Sequence, residues 1–279
     1  MYRYEQNDKN DVVLLKFDRL AEKKNIVHCF TTRIGGVSKG ACETLNMSFK
    51  RDTDRDNVTE NIKRVAVACG VPFESVTMVP QVHAGDVKVI TSDDAGRGVS
   101  REVFDDGYDA MVTNVKGVTL ATIHGDCIPV FLYDENSQSV GMIHSGWRST
   151  HAGISANAVS AMEKNYGASP ENIIAVIGPG ICQDCFEASE DVYNAFAEKY
   201  GADFSEDTDV CRPDLTRTGK WYISLPGIVC KTLIAAGVPE KNIVRSGICT
   251  CCVENKDKYF SHRREKGNTG AMSGFIMLK

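Results

Sequence analysis

Short runs of β-branched and aromatic residues, bounded by glycine, proline and charged positions, dominate the hydrophobic pattern of this chain. Such runs are typical of β-strands. The pattern predicts strands over residues 12–17, 26–31, 76–82, 87–90, 111–113, 118–123, 130–133, 140–143, 173–177, 243–248, 259–261 and 275–278.

Apolar residues at helical spacing are fewer but have clear boundaries. The first predicted helix is capped by Asn57 with Glu60, as in a capping box. The second runs from about residue 149 to 166, the third follows Ser189, and the fourth has Pro226 in its first turn.

The order of these elements indicates the fold class. Strands outnumber helices and do not alternate strictly with them, which favours an α+β fold with mixed β-sheets and outer helices over a doubly wound parallel sheet. No Pro/Gly/Ser-rich linker, low-complexity tract or internal repeat divides the sequence. We therefore expect a single catalytic domain over residues 1–279.

The composition is 42% hydrophobic and 25% charged, with a net charge of −5. A mildly acidic surface does not attract nucleic acid or anionic lipid, so we expect neither nucleic acid nor membrane as a partner. The first residues lack the apolar core of a signal peptide, and no run approaches the ~20 apolar residues that span a bilayer. We expect a cytoplasmic enzyme whose 11 cysteines are thiols or metal ligands rather than disulfides.

Three reactive residues stand where predicted strands end or break. His83 closes one strand, Cys127 lies where another breaks and resumes, and His144 ends a third. A catalytic zinc takes three ligands from cysteine, histidine or carboxylate and leaves one position for water or substrate. These residues, here called the metal trio, are therefore predicted to converge on one metal ion. The alternatives are solvated histidines and a cysteine buried for packing.

Other residues suggest two further sites. Arg148 precedes a predicted helix, so its guanidinium and the free amides there would suit a phosphate, although a surface salt bridge is the alternative. The pairs Cys182/Cys185 and Cys249/Cys252 have the spacing of a four-cysteine zinc site. Because the two pairs lie much farther apart than in a zinc ribbon, ordinary reduced thiols are the favoured interpretation.

Ordered segments spread over nearly the whole chain resemble the YfiH/YlmD family, formerly described as multicopper polyphenol oxidases or laccase-like proteins and since as purine nucleoside phosphorylases. The matching segments are residues 32–38, 45–46, 81–83, 109–113, 125–130, 144–148, 177–179, 249–250, 260–261, 263–264 and 269–270.

The resemblance implies an α/β/β/α layered sandwich shared with bacterial toxin deamidases. It implies zinc, with copper second, on the metal trio, which would also be the catalytic centre. Substrate or phosphate contacts are expected from Arg148, Asn46 and Arg33. The implied reaction converts adenosine, inosine, guanosine or methylthioadenosine and phosphate to the free base and ribose 1-phosphate, with adenosine deamination as a second activity.

The chain departs from the family pattern at three places. His124-Gly125 replaces the usual Thr-Ala before Asp-Cys, Ala271 stands where the family has arginine, and residues 225–227 replace a segment that contains asparagine. The predicted zinc ligands survive these changes. The missing arginine predicts altered phosphate handling or substrate preference.

Other functions remain open from the sequence. Cys127 and His144 would serve as nucleophile and base in a metal-free hydrolase or deamidase. A copper-dependent polyphenol oxidase needs more histidines than the six in this chain. A purine-binding protein without activity is a further alternative. For deamination, Asp126 is a candidate proton shuttle, with a structural role in its turn as the alternative.

Overall fold

The computed structural model describes the backbone of residues 1–279 and the side chains of all of these residues except 202 and 203. Strands β1 to β15 span, in order, Tyr2–Gln6, Val13–Phe17, Ile26–Thr31, Val76–Thr77, Val87–Val89, Ala110–Thr113, Thr119–His124, Ile128–Asp134, Ser139–Ser145, Ile174–Ile177, Glu187–Ser189, Cys211–Pro213, Lys220–Ile223, Ile243–Arg245 and Met272–Leu278. Helices α1 to α7 span Asp18–Ala21, Arg55–Cys69, Trp147–Ala152, Ile154–Tyr166, Glu190–Tyr200, Ala202–Glu206 and Leu225–Ala235. Short 3₁₀ helices cover Gly40–Cys42, Phe73–Ser75, Ser92–Asp94, Pro170–Asn172, Gln183–Cys185, Glu240–Asn242 and Val253–Asn255.

Two six-stranded sheets form the centre of the fold. The first sheet has the order β1-β2-β3-β15-β7-β4 and the second has the order β14-β10-β8-β9-β6-β5. Both are mixed: β4 runs parallel to β7 and β10 runs parallel to β14, while β8 and β9 form an antiparallel pair. A third sheet, β11-β13-β12, has three strands.

The two large sheets pack face to face, because each contributes one apolar face to the same core. Phe30 and Leu120 of the first sheet pack in one cluster with Phe131 and Met142 of the second. The other face of the first sheet is covered by α2, and that of the second sheet by α4 and α7. The layers therefore follow the order α/β/β/α, which confirms the predicted α+β class and layered sandwich.

The helices differ from the predictions at their ends. Helix α2 begins earlier than expected, because the side chain of Asp54 caps it by accepting a hydrogen bond from the Asp56 N–H; the predicted Asn57 cap is wrong. The single helix predicted over 149–166 is two helices, since Gly153 between α3 and α4 has a φ of 84°. Helices α5 and α7 begin as predicted, after Ser189 and with Pro226 in the first turn.

Three predicted strands are wrong in extent or type, and one of them, residues 243–248, forms a strand only over Ile243–Arg245. Residues 76–82 form a strand only at β4, and residues 259–261 form no regular strand although their side chains are buried. Strand β1 and the three-stranded sheet were not predicted. Within the described residues, no helix has both the length and the apolar composition required to cross a bilayer.

Candidate active site

The chain crosses from the first sheet to the second at a tight turn between β7 and β8. Gly125, Asp126 and Cys127 form this turn, and Asp126 adopts a φ of 91°. Cys127, at the end of the turn, is half-buried and precedes the fully buried Ile128. The predicted break at Cys127 is therefore present, and it is one of the points where the chain passes from one large sheet to the other.

His144 lies near the end of β9 and is held by Asp109. The Nδ1–H of His144 donates to Asp109 Oδ1 at 2.7 Å, and the backbone N–H of His144 donates to the Asp109 carbonyl at 2.8 Å. Both residues are buried. This contact fixes the ring and leaves Nε2 as the nitrogen available to a metal, an arrangement common among histidine ligands.

The loop that carries His83 is fixed from both sheets. The second carboxylate oxygen of Asp109 accepts the N–H groups of Ala84 at 2.6 Å and Val82 at 3.3 Å. On the other side, the Gln81 side chain forms two hydrogen bonds with the backbone of Ile123 in β7, at 2.7 and 2.8 Å. These contacts hold His83 in a left-handed conformation with a φ of 60°.

The three predicted ligands converge. The donor atoms of the metal trio all lie within 4.8 Å of one another. Gly146 makes this approach feasible, because a Cβ atom at that position would stand 2.6 Å from His83 Nδ1 and 3.2 Å from Cys127 Sγ. Exposure increases from the buried His144 through the half-buried Cys127 to the exposed His83, so the centre opens on one side.

The electrostatics of the centre couple its ionisable groups. Burial by itself lowers the pKa of His144, but the Cys127 thiolate and the Asp109 carboxylate outweigh burial and raise that pKa to about 9. Burial and the nearby charge of His144 lower the pKa of His83. Burial alone raises the pKa of Asp109, yet the hydrogen bond and charge of His144 bring it below its usual value. The carboxylate is therefore ionised beside His144.

The additional histidine of this chain supports the turn. His124 Nδ1 lies 3.1 Å from the Cys127 carbonyl and its Nε2 lies 2.8 Å from the Thr122 hydroxyl, so both ring nitrogens are occupied. Burial and the charge of His144 depress the pKa of His124 far below its usual range, so the ring is neutral. In that state Nδ1 donates to the carbonyl and Nε2 accepts from Thr122. His124 therefore holds Cys127 rather than joining the ligands.

Asp126 has its acceptors occupied by neighbouring loops. Its Oδ1 accepts the Thr250 hydroxyl at 2.6 Å, and its Oδ2 accepts the Ser261 hydroxyl at 3.0 Å and the Arg263 N–H at 2.7 Å. The Ile181 N–H donates to the Asp126 carbonyl at 2.8 Å. These contacts favour the structural alternative for Asp126 over the proton shuttle.

The metal trio borders a cleft with a volume of about 400 Å³, a size common for small-molecule sites. One side of the cleft is cationic and consists of Lys50, Arg51 and Arg55, here called the cationic wall. No aspartate or glutamate is among the described residues that line the cleft. Most of the remaining lining is apolar, and it consists of Met47, Phe49, Met78, Val79, Pro80, Val103, Ile123 and Ala271, with Ser48, Gln81, Gly98 and Gly125 beside them.

The predicted substrate contacts are not brought to the cleft lining. Arg33 stacks on Phe260 with its Cζ 4.4 Å from the ring centroid, and forms an ion pair with Glu265 at 3.2 Å. Asn46 is fully buried and accepts the Ala271 N–H at 2.9 Å. These contacts favour structural roles for both residues.

Arg148 is exposed at the start of α3, and its guanidinium lies 4.2 Å from the Trp147 ring centroid. It is not among the residues that line the cleft. Its positive charge nevertheless helps to lower the pKa of His83, although burial and the charge of His144 are larger causes. Arg148 thus stands near the exposed side of the metal trio.

The roles of the cationic wall, Asp109 and Gln81 were not predicted from the sequence. Arg51 is notable because it donates to the carbonyls of Thr269 and Gly270 at 3.2 and 3.4 Å, immediately before Ala271. The guanidinium of Arg51 therefore stands beside Ala271, the position where the resemblance implies an arginine. Asp109 lay in a segment that matches the family, but its position directly before a buried strand was the only local signal of its role.

Comparison with known proteins agrees with this architecture. The sequence profile of the family described as "Multi-copper polyphenol oxidoreductase laccase" matches residues 27–279. The purine nucleoside phosphorylase YlmD of Geobacillus stearothermophilus is 33% identical over 257 residues, which cover 88% of each chain. Adenosine deaminase RL5, from an unknown prokaryotic organism, is 33% identical over 263 residues, covering 92% of this chain and 97% of the relative.

A solved structure is also similar. The crystal structure of the Bacillus licheniformis hypothetical protein YfiH superposes with a TM-score of 0.87 and 28% sequence identity, covering 100% of this chain and 99% of that one. The layered sandwich, the turn that carries Cys127 and the profile match over nearly the whole sequence lead to one assignment. This chain belongs to the YfiH/YlmD family.

Proposed function

We propose that this protein is a zinc-dependent purine nucleoside phosphorylase and that the cleft is its active site. The observation that carries the proposal is that the metal trio and the cationic wall line the same cleft, without a carboxylate among the described lining residues. Cations without competing carboxylates suit a phosphate, and they gather it locally although the whole chain carries a charge of −5. The names of several relatives also support this reaction class.

The donor set of the metal trio fits zinc. One thiolate and two imidazoles are a known ligand set for catalytic zinc, and three protein ligands would leave one coordination position for water or substrate. When bound there, zinc supplies a Lewis acid for a substrate atom. Asp109 holds His144 through Nδ1 and keeps Nε2 free for coordination.

Phosphorolysis requires a phosphate oxygen to attack the anomeric carbon of ribose while the bond to the purine nitrogen breaks. The cationic wall binds the phosphate and orients it, which removes much of the entropic cost of bringing two substrates together. Met78, Val79 and Phe49 supply the apolar surface against which a purine packs. Arg51 provides positive charge beside Ala271 and so compensates for the arginine that this chain lacks.

Adenosine deamination is a second candidate, motivated by the 33% identity to a relative named adenosine deaminase. Zinc deaminases of nucleobases use a glutamate to transfer protons. Because no carboxylate is among the described lining residues and Asp126 is engaged by Thr250, Ser261 and Arg263, we expect deamination to be the slower reaction.

A metal-free Cys–His hydrolase is the main rival in a different class. The raised pKa of His144 means that, without metal, an imidazolium lies beside the sulfur of Cys127, and thiol enzymes pair a cysteine with a histidine in this way. A copper oxidase is less well supported. Of the chain's six histidines, His28 and His124 donate or accept hydrogen bonds inside the protein, which leaves too few for a trinuclear centre.

The proposal is tested with purified protein, inosine or adenosine, and inorganic phosphate. We expect zinc in the purified protein, ribose 1-phosphate formed only with phosphate, and loss of turnover on chelation that zinc restores. Cys127→Ser should lower both zinc content and turnover, while Cys230→Ser, at a half-buried thiol outside the cleft, serves as the matched control. Full turnover after metal removal, with inactivation by iodoacetamide, would instead establish the thiol enzyme.

A further inference from the structure

Two cysteine-bearing loops meet beside the second sheet. Strands β10 and β14 are parallel neighbours, with Ile177 opposite Arg245, and each is followed within a few residues by a Cys-x-x-Cys loop. The loops are joined by backbone hydrogen bonds, from the Gly180 N–H to the Ile248 carbonyl at 3.2 Å and from the Thr250 N–H to the Gly180 carbonyl at 3.1 Å. Parallel pairing therefore brings together two pairs that are distant in sequence.

The four sulfur atoms of these loops converge on one point. The Sγ atoms of Cys182, Cys185, Cys249 and Cys252 all lie within 4.8 Å of one another. The Sγ of Cys252 is 3.9 Å from that of Cys182 and 3.6 Å from that of Cys185. A tetrahedral zinc with Zn–S bonds of about 2.3 Å places its sulfurs about 3.8 Å apart. A disulfide needs about 2.05 Å, so the spacing matches shared coordination rather than pairing.

We infer that these four residues, here called the cysteine cluster, bind a structural zinc ion at a site separate from the metal trio. Four protein ligands close the coordination sphere, which is the arrangement of structural rather than catalytic zinc. The Cys182 N–H already donates to Cys249 Sγ at 3.2 Å, as expected where a sulfur carries negative charge. Binding releases the thiol protons and leaves a net charge of −2 on the cluster with its ion.

Two arginines hold the ligand loops, and Arg264 also forms an ion pair with Glu265 at 3.0 Å. The guanidinium of Arg263 donates to the Cys185 carbonyl at 3.2 Å, in the first loop. The guanidinium of Arg264 donates to the Thr250 carbonyl at 2.5 Å, in the second loop. Each cation thus lies against the backbone of one ligand loop.

The cysteine cluster also braces the turn that carries Cys127. Ile181, next to Cys182, donates its N–H to the Asp126 carbonyl, and Thr250, next to Cys249, donates its hydroxyl to the Asp126 carboxylate. A zinc ion bound by both loops would therefore also hold Asp126, which accepts a hydrogen bond from each loop. The cluster acts on the active site by positioning the turn, without touching the cleft lining.

Metal analysis of matched variants tests this inference. Wild-type protein should contain about two zinc ions per chain, and Cys252→Ser about one, because a closed structural site tolerates the loss of a ligand poorly. Cys251→Ser changes the adjacent cysteine, which is not part of the cluster, and should retain about two. Equal zinc content in wild type and Cys252→Ser would overturn the assignment.

Cobalt substitution provides a readout that does not depend on turnover or on the fate of the zinc site in the cleft. In a Cys127→Ser background, the cobalt-loaded protein should keep strong near-ultraviolet thiolate-to-cobalt absorption from the cysteine cluster. Adding Cys252→Ser should remove most of it, whereas adding Cys251→Ser should not.

If Cys252→Ser does not fold, thiol counting on the wild type decides the question. Zinc extraction from the native protein should make five cysteines newly reactive toward a thiol reagent, the four of the cluster and Cys127, and native mass spectrometry should show the two corresponding ions. Disulfides within the cluster after purification under reducing conditions, or free reaction of all four thiols without zinc release, would refute the site.

Discussion

Gly146→Ala is the sharpest perturbation of the metal trio. The backbone of Gly146, with a φ of −78° and a ψ of 175°, accepts alanine without strain, so the effect of the new methyl group is purely steric. Its Cβ would lie 2.6 Å from His83 Nδ1, and a ring in that position must move by roughly 0.5–1 Å to reach van der Waals contact. Metal–ligand distances tolerate only about 0.2 Å. We expect zinc affinity to fall about 10–100-fold, or about 1.4–2.8 kcal/mol, and kcat/KM for phosphorolysis to fall about 100-fold.

Zinc affinity is measured by competition with a chromophoric chelator, and kcat/KM with saturating phosphate. Gly125→Ala is the matched control, because it adds the same methyl group in the neighbouring turn, where the new Cβ meets only Arg51 at 3.4 Å and where the family usually has alanine. The control should retain its zinc affinity. If Gly146→Ala binds zinc as tightly as wild type, His83 is not held against Gly146 as a ligand, and the reasoning fails.

Three further outcomes follow from the site. Metal-free His144 has a pKa raised to about 9, so below that pH zinc must displace the proton of this ring. Zinc affinity should therefore rise about tenfold per pH unit and level off above about pH 9. Chelator competition across this pH range measures the profile, and a flat profile would contradict His144 as a ligand. Arg55→Gln should raise the KM for phosphate roughly tenfold with little change in the KM for inosine. The control Lys63→Gln removes the same charge at an exposed position of the same helix and should leave both KM values unchanged. Arg33→Ala should cost about 1–3 kcal/mol in urea unfolding through its lost ion pair and stacking; an unchanged midpoint with a raised KM for phosphate would restore its predicted role in the cleft.

The metal trio could be predicted because its residues lie in segments shared with the family, and because Cys127 and His144 stand at a strand break and near a strand end; the strand expected before His83 is confined to residues 76–77. The α+β class could be predicted from the strand patterns, which depend on local alternation of apolar residues, whereas the α/β/β/α layer order was implied by the resemblance to the family. The contacts that orient these ligands were harder to predict from the sequence. Asp109 and Gln81 act across the two sheets, and nothing within a few residues of either shows which backbone groups they will meet.

The cationic wall was missed in the sequence for a different reason. Lys50, Arg51 and Arg55 form a charged stretch that is typical of a solvated surface, and only the fold brings that stretch to the cleft that His83 also lines. Arg33 and Asn46 illustrate the reverse case. They lie in segments that match the family, yet their side chains are engaged within the protein, because shared segments preserve packing as well as chemistry.

The cysteine cluster was set aside at the sequence level on the basis of spacing between its two pairs. A short spacing between the pairs is expected only when all four zinc ligands come from one compact hairpin. Here the two loops follow strands β10 and β14, which are neighbours in space although helices and a small sheet lie between them in sequence. Whether the four cysteines meet depends on how the two distant strands pair, and local composition does not show that pairing.

The place of β15 in the first sheet has a consequence for biosynthesis. Residues 272–278 lie between β3 and β7 and hydrogen-bond to both, so they join two parts of the sheet that form much earlier in translation. Until the ribosome has released these residues, the nascent chain exposes two unpaired strand edges. A ribosome-stalled chain that lacks residues 272–278 should therefore be sensitive to protease and bound by chaperones, and the sandwich should close only after synthesis has passed Leu278.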